Sequence, residues 1–334
     1  MQQRSVGASG LRVSRLGLGT MTWGRDTDEH EARDQLVAFV GAGGTLLDTA
    51  AAYGDGVSEQ LIGSLLGDVV AREDVVLATK AGLGQRRAPG RPGGGATGTS
   101  GGSGTRGAAR DTSRRSILAS LDGSLRRLGT DHVDLLQVHV WSDATPLEET
   151  LATLDHVVAT GRARYVGVSN YTGWQTAQAA TWQRAVPGRA PLVSTQVEYS
   201  LLNRNVELEV LPAAGALGMG ALTWSPLGRG VLTGKYRTGT PSDSRAATSH
   251  LGSFVEPYLD ERSHGIVESV VKAADGLGWT PAEVALAWVR DRPGVAAPVV
   301  GARTAAQLRA LLSVEEKALP IEIADALDDV SAVD

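Results

Sequence analysis

Four polar side chains stand at the ends of short apolar, β-branched segments, and their types suit proton transfer. Asp48, Lys80 and His139 each end such a segment, and Tyr53 follows in the same loop as Asp48. An ammonium beside a tyrosine favours the phenolate, so Lys80 is expected to lower the pKa of Tyr53. Asp48 would pair with Lys80 and hold it charged. A buried strand has no structural need to end in a charge, so the repetition predicts an acid–base active site.

These side chains can meet only if their strands run parallel and end at one edge. Short apolar segments alternate with amphipathic ones, which is typical of a (β/α)8 TIM barrel, here one domain over residues 1–334. A doubly wound sheet is the alternative, but its polar residues would gather at one switch point rather than after many strands. The eight predicted strands are 15–20, 45–48, 75–80, 133–139, 164–169, 192–196, 219–224 and 295–300.

Other segments supply helices, a closing hairpin and two long loops. Segments 28–40 and 113–128 have helical apolar spacing, and Thr280 with Glu283 forms a capping-box pattern. Segment 4–13 predicts an N-terminal hairpin at the bottom of the barrel. Segment 84–111 is rich in Gly, Arg, Ser and Thr, which predicts a flexible loop over the C-terminal face or a tolerated surface insertion. Segment 237–262 is a second long loop, whose Phe254 and Tyr258 would supply apolar contact at the substrate mouth.

Composition excludes several classes of protein. The net charge of −5, with scattered basic residues, gives no footprint for nucleic acid. The chain has no cysteine and its 6 histidines do not cluster, so neither a disulfide framework nor a metal site is expected. No apolar segment approaches the length of a membrane span, and no signal sequence is evident. A soluble, cytoplasmic protein without membrane contact is the expectation.

Seven short motifs, in order along nearly the whole chain, resemble the aldo-keto reductase superfamily. The layout is most similar to bacterial members related to the potassium-channel β-subunit and general-stress branches. The resemblance implies a (β/α)8 barrel that uses NADPH to reduce aldehydes and ketones, with Asp48, Tyr53, Lys80 and His139 as the catalytic residues. The motifs are Leu16-Gly17-Leu18-Gly19-Thr20-Met21, Asp48-Thr49-Ala50 with Tyr53-Gly54, Thr79-Lys80, Asp134-Leu135-Leu136-Gln137-Val138-His139, Gly167-Val168-Ser169-Asn170, Trp224-Ser225-Pro226-Leu227 and Gly301-Ala302-Arg303-Thr304.

The residues themselves suit carbonyl reduction. Reduction adds a hydride to carbon and a proton to oxygen, and a free tyrosine with a pKa of about 10 is a willing donor near neutrality. Tyr53 is therefore expected to be the general acid, and the base in the reverse direction. His139 would donate a hydrogen bond to the carbonyl oxygen as negative charge develops there.

The expected nicotinamide site lies after the later strands. Ser169, Asn170 and Gln196 have groups that suit the carboxamide, and Trp224 offers a flat face to the ring. Gly19 and Thr20 are further expected contacts. Small residues after Trp224 leave room beside a pyrophosphate, where Arg229 would add charge. That segment contains Ser225, Pro226, Leu227 and Arg229.

The adenosine end is expected after the eighth strand. Thr304 and Gln307 form a capping-box pattern, and the free N–H groups of a helix N-terminus attract an anion. Arg303 would hold the 2′-phosphate, which favours NADPH (NADP+) and leaves NADH open. Gly301 and Gln307 are further expected cofactor contacts, with Gln307 either binding phosphate or capping its own helix. Ala310-Leu311 stands where related proteins often have Glu-Asn, and Gly301 where some have lysine, so the cofactor preference stays open.

The substrate is less specified than the chemistry. Trp23 and Trp141 are expected to wall a pocket for a small-molecule aldehyde or ketone. An alternative function is an NADPH-binding, redox-sensing module with slow turnover, similar to channel β-subunits. A lyase or isomerase with Lys80 as a Schiff base is a third, disfavoured because it leaves the phosphate site unexplained. A protein partner or a homo-oligomer stays open.

Overall fold

A computed structural model describes residues 1–84, 110–242 and 244–333. Eight parallel strands close into a barrel in chain order, because the last strand pairs with both the first and the seventh. The prediction of a (β/α)8 barrel is confirmed, and all eight predicted strands are present. The barrel strands are β3 (Gly17–Gly19), β4 (Leu46–Asp48), β5 (Val76–Ala81), β6 (Val133–Val138), β7 (Ala163–Ser169), β8 (Leu192–Glu198), β9 (Gly220–Trp224) and β10 (Val295–Val300).

The helices surround the barrel, and the predicted start signals act as caps. Asp28 and Ser113 accept N–H groups of the first turns of their helices, and Thr280 with Glu283 forms the full capping box. The helices are α1 (Glu29–Gly41), α2 (Val57–Leu65), α3 (Arg114–Leu128), α4 (Leu147–Ala159), α5 (Gly173–Arg184), α6 (Val210–Ala216), α7 (Gly252–Val255), α8 (Glu261–Leu277), α9 (Pro281–Arg290), α10 (Ala305–Leu312) and α11 (Ile321–Val330).

The bottom of the barrel is closed by the predicted N-terminal hairpin. β1 (Gln3–Ser5) pairs antiparallel with β2 (Arg12–Ser14). Apolar side chains of the hairpin, Val6, Leu11 and Val13, pack into one cluster with side chains from the barrel strands. Because this end is filled with apolar groups, polar chemistry is confined to the opposite end, where the strands terminate.

The two predicted long loops have different outcomes. Most of segment 84–111 lies outside the described residues, so its predicted flexibility stays a prediction. Segment 237–262 contains α7 and two 3-10 turns, 245–247 and 256–258, and it overlaps the start of α8. This second segment is therefore partly helical.

Candidate active site

The ammonium of Lys80 is the centre of a buried polar cluster. Its Nζ donates to Asp48 Oδ2 at 2.7 Å and to the carbonyl of Thr49 at 3.0 Å. The hydroxyl of Tyr53 lies 3.5 Å from the same nitrogen. Lys80 and Asp48 are only 1% and 2% exposed, so water screens their attraction little. The structure thus brings together the three residues that the sequence predicted to meet.

A tight turn after β4 brings Tyr53 back towards Lys80. The 3-10 turn Tyr53–Gly56 has left-handed backbone at Gly54, Asp55 and Gly56, with φ values of 56°, 54° and 97°. Glycine adopts this conformation without steric cost, whereas Asp55 adopts it at some cost. The turn leaves the tyrosine ring with Lys80 Nζ 5.2 Å from its centroid.

Burial and charge act in opposite directions on the acid–base pair. Burial would lower the pKa of Lys80, but Asp48 and Tyr53 outweigh it, and the pKa is raised above its usual value. Burial raises the pKa of Tyr53, Lys80 opposes that rise, and Asp48 adds to it. Lys80 lowers the pKa of Tyr53 as expected, but desolvation outweighs that effect, so the net direction is upward. The phenol is protonated at neutral pH, as a proton donor must be.

His139 lies beside Tyr53 as a neutral imidazole. The two rings meet edge to face with centroids 6.1 Å apart. Burial, with the Lys80 ammonium adding to it, lowers the pKa of His139 to about 3. Among the described residues its Nδ1 has no hydrogen-bond partner. A neutral imidazole carries one N–H, so it can donate one hydrogen bond to a group placed beside Tyr53.

A chain of amide and hydroxyl groups connects the later strand ends to this cluster. Gln196 Nε2 donates to Asp48 Oδ1 at 2.8 Å, and Ser169 Oγ donates to the Gln196 carbonyl at 2.9 Å. Asn170 Nδ2 donates to the carbonyl of His139 at 3.0 Å. The sequence assigned these side chains to a cofactor alone, and their contacts with Asp48 and His139 were missed. The sequence did carry a signal for these contacts, because all three residues lie at or next to the predicted ends of two neighbouring strands.

Trp224, at the end of β9, is fixed from two sides. Its indole N–H donates to Asn170 Oδ1 at 3.0 Å. Phe254, from the second long segment, is nearly parallel to it, with an interplanar angle of 19° and ring centroids 6.4 Å apart. Phe254 therefore packs against Trp224, and its predicted apolar contact at the substrate mouth stays a prediction.

Arg229 has a different environment from the one expected. Its guanidinium makes two hydrogen bonds to Glu198, at 2.7 and 2.6 Å, and lies 4.0 Å from the Phe254 ring centroid. The residue is 3% exposed. Its charge is offset by Glu198, which corrects the expectation of a cation open to a pyrophosphate. A cation that sequence reasoning missed is Lys235, whose Nζ lies 3.4 Å from where a Cβ on Gly230 would be.

The non-glycine residues with left-handed backbone are concentrated around this face of the barrel. Within residues 1–84, 110–242 and 244–333, the non-glycine residues with positive φ are Asp55, Asn170, Ser225 and Arg229. Three of them belong to the predicted cofactor set, and the fourth is in the turn that carries Tyr53. Strained backbone of this kind is retained where the surrounding structure requires it, commonly at ligand sites.

The N-terminus of α10 is largely capped by side chains. Thr304 Oγ1 accepts the Gln307 N–H at 3.2 Å, and Gln307 Oε1 accepts the Arg303 N–H at 3.0 Å. Glu31 Oε2, from the first turn of α1, accepts the Ala305 N–H at 2.7 Å. Gln307 thus caps at Arg303 rather than at Thr304, so the reciprocal capping box is absent here. Because these N–H groups are already bound by side chains, fewer are left to attract an anion than expected. The Arg303 side chain is then the main group expected to bind a phosphate at this end.

The remaining predicted contacts lie at or near strand ends. Gly19 ends β3, and the Thr20 hydroxyl donates to the Asp48 carbonyl at 3.2 Å. Pro226 is buried, Ser225 and Leu227 are half-buried, and Gly301 is exposed beyond β10.

The two predicted pocket walls differ. Trp23 has no exposed surface, and its indole N–H donates to Gln35 at 3.0 Å. It is a packing residue, which corrects its assignment as an exposed wall. Trp141 is half-buried and makes edge contacts with Tyr171 and Trp174. Trp174, which sequence reasoning missed, is 58% exposed.

Within the described ranges, no three His, Cys, Asp or Glu side chains are grouped as metal ligands. None of the helices in those ranges has the length and apolar character needed to cross a membrane.

The amino-acid sequence of this chain matches a known protein family and several of its members. The aldo/keto reductase family model matches residues 15–332. The chain is 37% identical to the uncharacterized oxidoreductase YrpG of Bacillus subtilis (strain 168), over 99% of this chain and 96% of that protein. It is 33% identical to a probable voltage-gated potassium channel subunit beta of Oryza sativa subsp. japonica, over 100% and 96%. It is 32% identical to the aldo-keto reductase YhdN of Bacillus subtilis (strain 168), over 94% and 88%. The chain belongs to the aldo/keto reductase family, which supports its assignment as an oxidoreductase.

Proposed function

We propose that this protein reduces the carbonyl group of an aldehyde or ketone with NADPH, using Tyr53 as the proton donor. The observation that carries the proposal is the buried cluster in which Lys80 Nζ lies 2.7 Å from Asp48 and 3.5 Å from the Tyr53 hydroxyl. A half-buried, protonated phenol beside a fixed ammonium is suited to giving up its proton as negative charge develops on a neighbouring oxygen.

The proposed step moves two electrons and one proton. A nicotinamide cofactor, when bound, would supply the hydride for the new C–H bond, and the C=O π pair would move to oxygen. The Tyr53 hydroxyl then gives its proton to that oxygen, and the alcohol forms. Lys80 stabilises the resulting phenolate, and Asp48 holds Lys80 in place. The neutral imidazole of His139 donates its hydrogen bond to the same oxygen and orients the carbonyl.

The residues after β7, β8 and β9 fit a nicotinamide cofactor. Trp224 offers a half-buried ring held by Asn170. Asn170 and Ser225 have the left-handed backbone expected of residues fixed around a ligand. Lys235 beside Gly230 supports a phosphate position after β9, and Arg303 supports one after β10. Of the two, Arg303 is the cation that favours NADPH over NADH, because the 2′-phosphate proposed beside it is the group that NADH lacks.

The test is loss of NADPH absorbance with a panel of aldehydes, ketones and dicarbonyls, with NADH in parallel. Tyr53→Phe should lower turnover by at least about 100-fold, the lower range for general acid catalysis, with NADPH affinity unchanged. Tyr165→Phe removes a phenol near Gly10 in the N-terminal hairpin and is the matched control, with turnover unchanged. Equal turnover by Tyr53→Phe and the parent would exclude Tyr53 as the acid.

A second candidate function is an NADPH-binding redox sensor with slow turnover. It is favoured by the 33% identity to probable voltage-gated potassium channel beta subunits of Oryza sativa subsp. japonica and Arabidopsis thaliana. The same assay distinguishes the two functions. Tight NADPH binding with almost no consumption across the whole panel would support the sensor and contradict the reductase.

A further inference from the structure

The first turn of α2 contains two polar side chains that the proposed reaction does not use. Ser58 and Glu59 are both fully buried, at 0% exposure. α2 begins directly after the turn that carries the proposed acid. A buried carboxylate is costly unless paired, and an apolar replacement is often as stable. Stability is therefore a weak explanation for Glu59.

Glu59 connects the start of α2 to the strand that carries Lys80. Its Oε1 accepts a hydrogen bond from the hydroxyl of Thr79 at 2.6 Å, and its Oε2 accepts one from Arg127 Nε at 2.8 Å. Thr79 directly precedes Lys80 in β5. Successive strand residues point to opposite faces, so Thr79 meets α2 while Lys80 meets Asp48. The contact at Thr79 thus fixes the backbone from which Lys80 extends.

Ser58 connects the same helical turn to the two preceding strands. Its hydroxyl lies 2.8 Å from Thr20 Oγ1, beyond β3, and 3.0 Å from Thr49 Oγ1, beyond β4. The Thr49 carbonyl accepts from Lys80. The start of α2 therefore holds the ends of three consecutive strands against the turn that carries Tyr53.

We propose that Glu59 and Thr79 are positioning residues that set the separation between the Tyr53 hydroxyl and the Lys80 ammonium. This inference rests on the proposed function. Neither residue touches the reacting atoms. They act by joining the two chain segments that carry the acid and its cation, across hydrogen bonds that water does not reach.

The role of the Thr79 hydroxyl is tested by two comparisons in which the side chains differ mainly in that group. The parent is compared with Thr79→Val, and Thr79→Ser is compared with Thr79→Ala. Loss of the hydroxyl should lower kcat by about 10-fold, within the roughly 100-fold cost of a 1 Å displacement at a reacting centre. KM and NADPH affinity should not change, and Thr79→Ser should keep parental kcat. Thr195→Val is the matched control, because Thr195 is also fully buried in a barrel strand, and Oγ1 has no partner among the described residues.

The pH profile separates positioning from a general loss of stability. A more distant Lys80 lowers the pKa of Tyr53 less, so the alkaline limb of kcat for reduction should move to higher pH in Thr79→Val. The 13C resonance of Tyr53 Cζ, assigned by its loss in Tyr53→Phe, should titrate later in the same variant without any turnover. This second readout remains informative if the parent reduces no carbonyl, which would overturn the proposed function alone. Parental kcat and titration in both Thr79→Val and Thr79→Ala would overturn the positioning role.

Discussion

Neutralising the two charges of the buried ion pair separately should lower the free energy of unfolding by amounts whose sum exceeds the loss in the double variant. Lys80→Met leaves the Asp48 carboxylate buried with Gln196 as its remaining side-chain donor, since Lys80 and Gln196 are its two side-chain partners in the described structure. Asp48→Asn leaves the ammonium buried against the Thr49 carbonyl and the Tyr53 hydroxyl. The double variant contains neither charge. A double-mutant cycle therefore isolates the coupling between the two groups.

The distance and burial give the expected magnitude. At 2.7 Å, and with an effective dielectric constant of about 20, two unit charges attract by about 6 kcal/mol. Desolvation of both groups offsets part of that attraction. Removing one partner of a buried pair usually costs about 3–5 kcal/mol, because the other charge is left without compensation. We expect each single variant to lose about that amount, and the double variant to lose at least about 3 kcal/mol less than the sum of the two.

The measurement is equilibrium unfolding in urea, followed by circular dichroism and by tryptophan fluorescence. Coincident transitions are required before free energies are compared. The exposed pair of Arg33 and Asp68 is the control, and Arg33→Met with Asp68→Asn should give a coupling below about 1 kcal/mol. If the destabilisation at Lys80 and Asp48 is additive within about 0.5 kcal/mol, the two charges are not coupled and the reasoning fails.

Two further predictions concern His139 and Arg229. Because the pKa of His139 falls to about 3 in the folded protein, the unfolded chain binds more protons below about pH 6.5. The free energy of unfolding should therefore decrease as the pH is lowered from about 6.5 towards about 3, by up to about 1.4 kcal/mol per pH unit. His139→Asn should lack this contribution in parallel pH-dependent unfolding curves. Arg229→Met should destabilise the protein by about 3–5 kcal/mol, because the Glu198 side chain, only 10% exposed, is left without its cation, and Glu198→Gln should recover part of the loss in thermal unfolding. Weaker NADPH binding without any loss of stability in Arg229→Met would instead support a direct phosphate contact.

Much of the fold could be predicted because its signals are local. The β-branched segments, the caps at Asp28 and Ser113 and the capping box at Thr280 each depend on a few adjacent residues. Parallel strands end at one edge, so residues at strand ends could be expected to meet, as Asp48 and Lys80 do. That single rule of geometry was enough to predict a contact between residues that are distant in sequence.

The misses share a different physical cause, which is burial and partners distant in sequence. The pKa of Tyr53 follows desolvation, and no sequence pattern states how deeply the ring is buried. Arg229, in the turn after β9, pairs with Glu198 of β8, and the indole of Trp23 donates a hydrogen bond to Gln35 of α1. These outcomes depend on how complete elements pack, so residue type alone could not predict them.

The closure of the barrel by β10 has a consequence for how the chain folds. Gly17 and Val299, at opposite ends of the chain, are partners in the pair that completes the barrel. Contacts of such large sequence separation form late, because the entropy of a long loop must be lost first. During synthesis, one edge of β3 therefore stays unpaired until its partner β10 has been made and has left the ribosome. An unpaired parallel edge is a template for aggregation, so we expect aggregation to compete most with folding before β10 has paired.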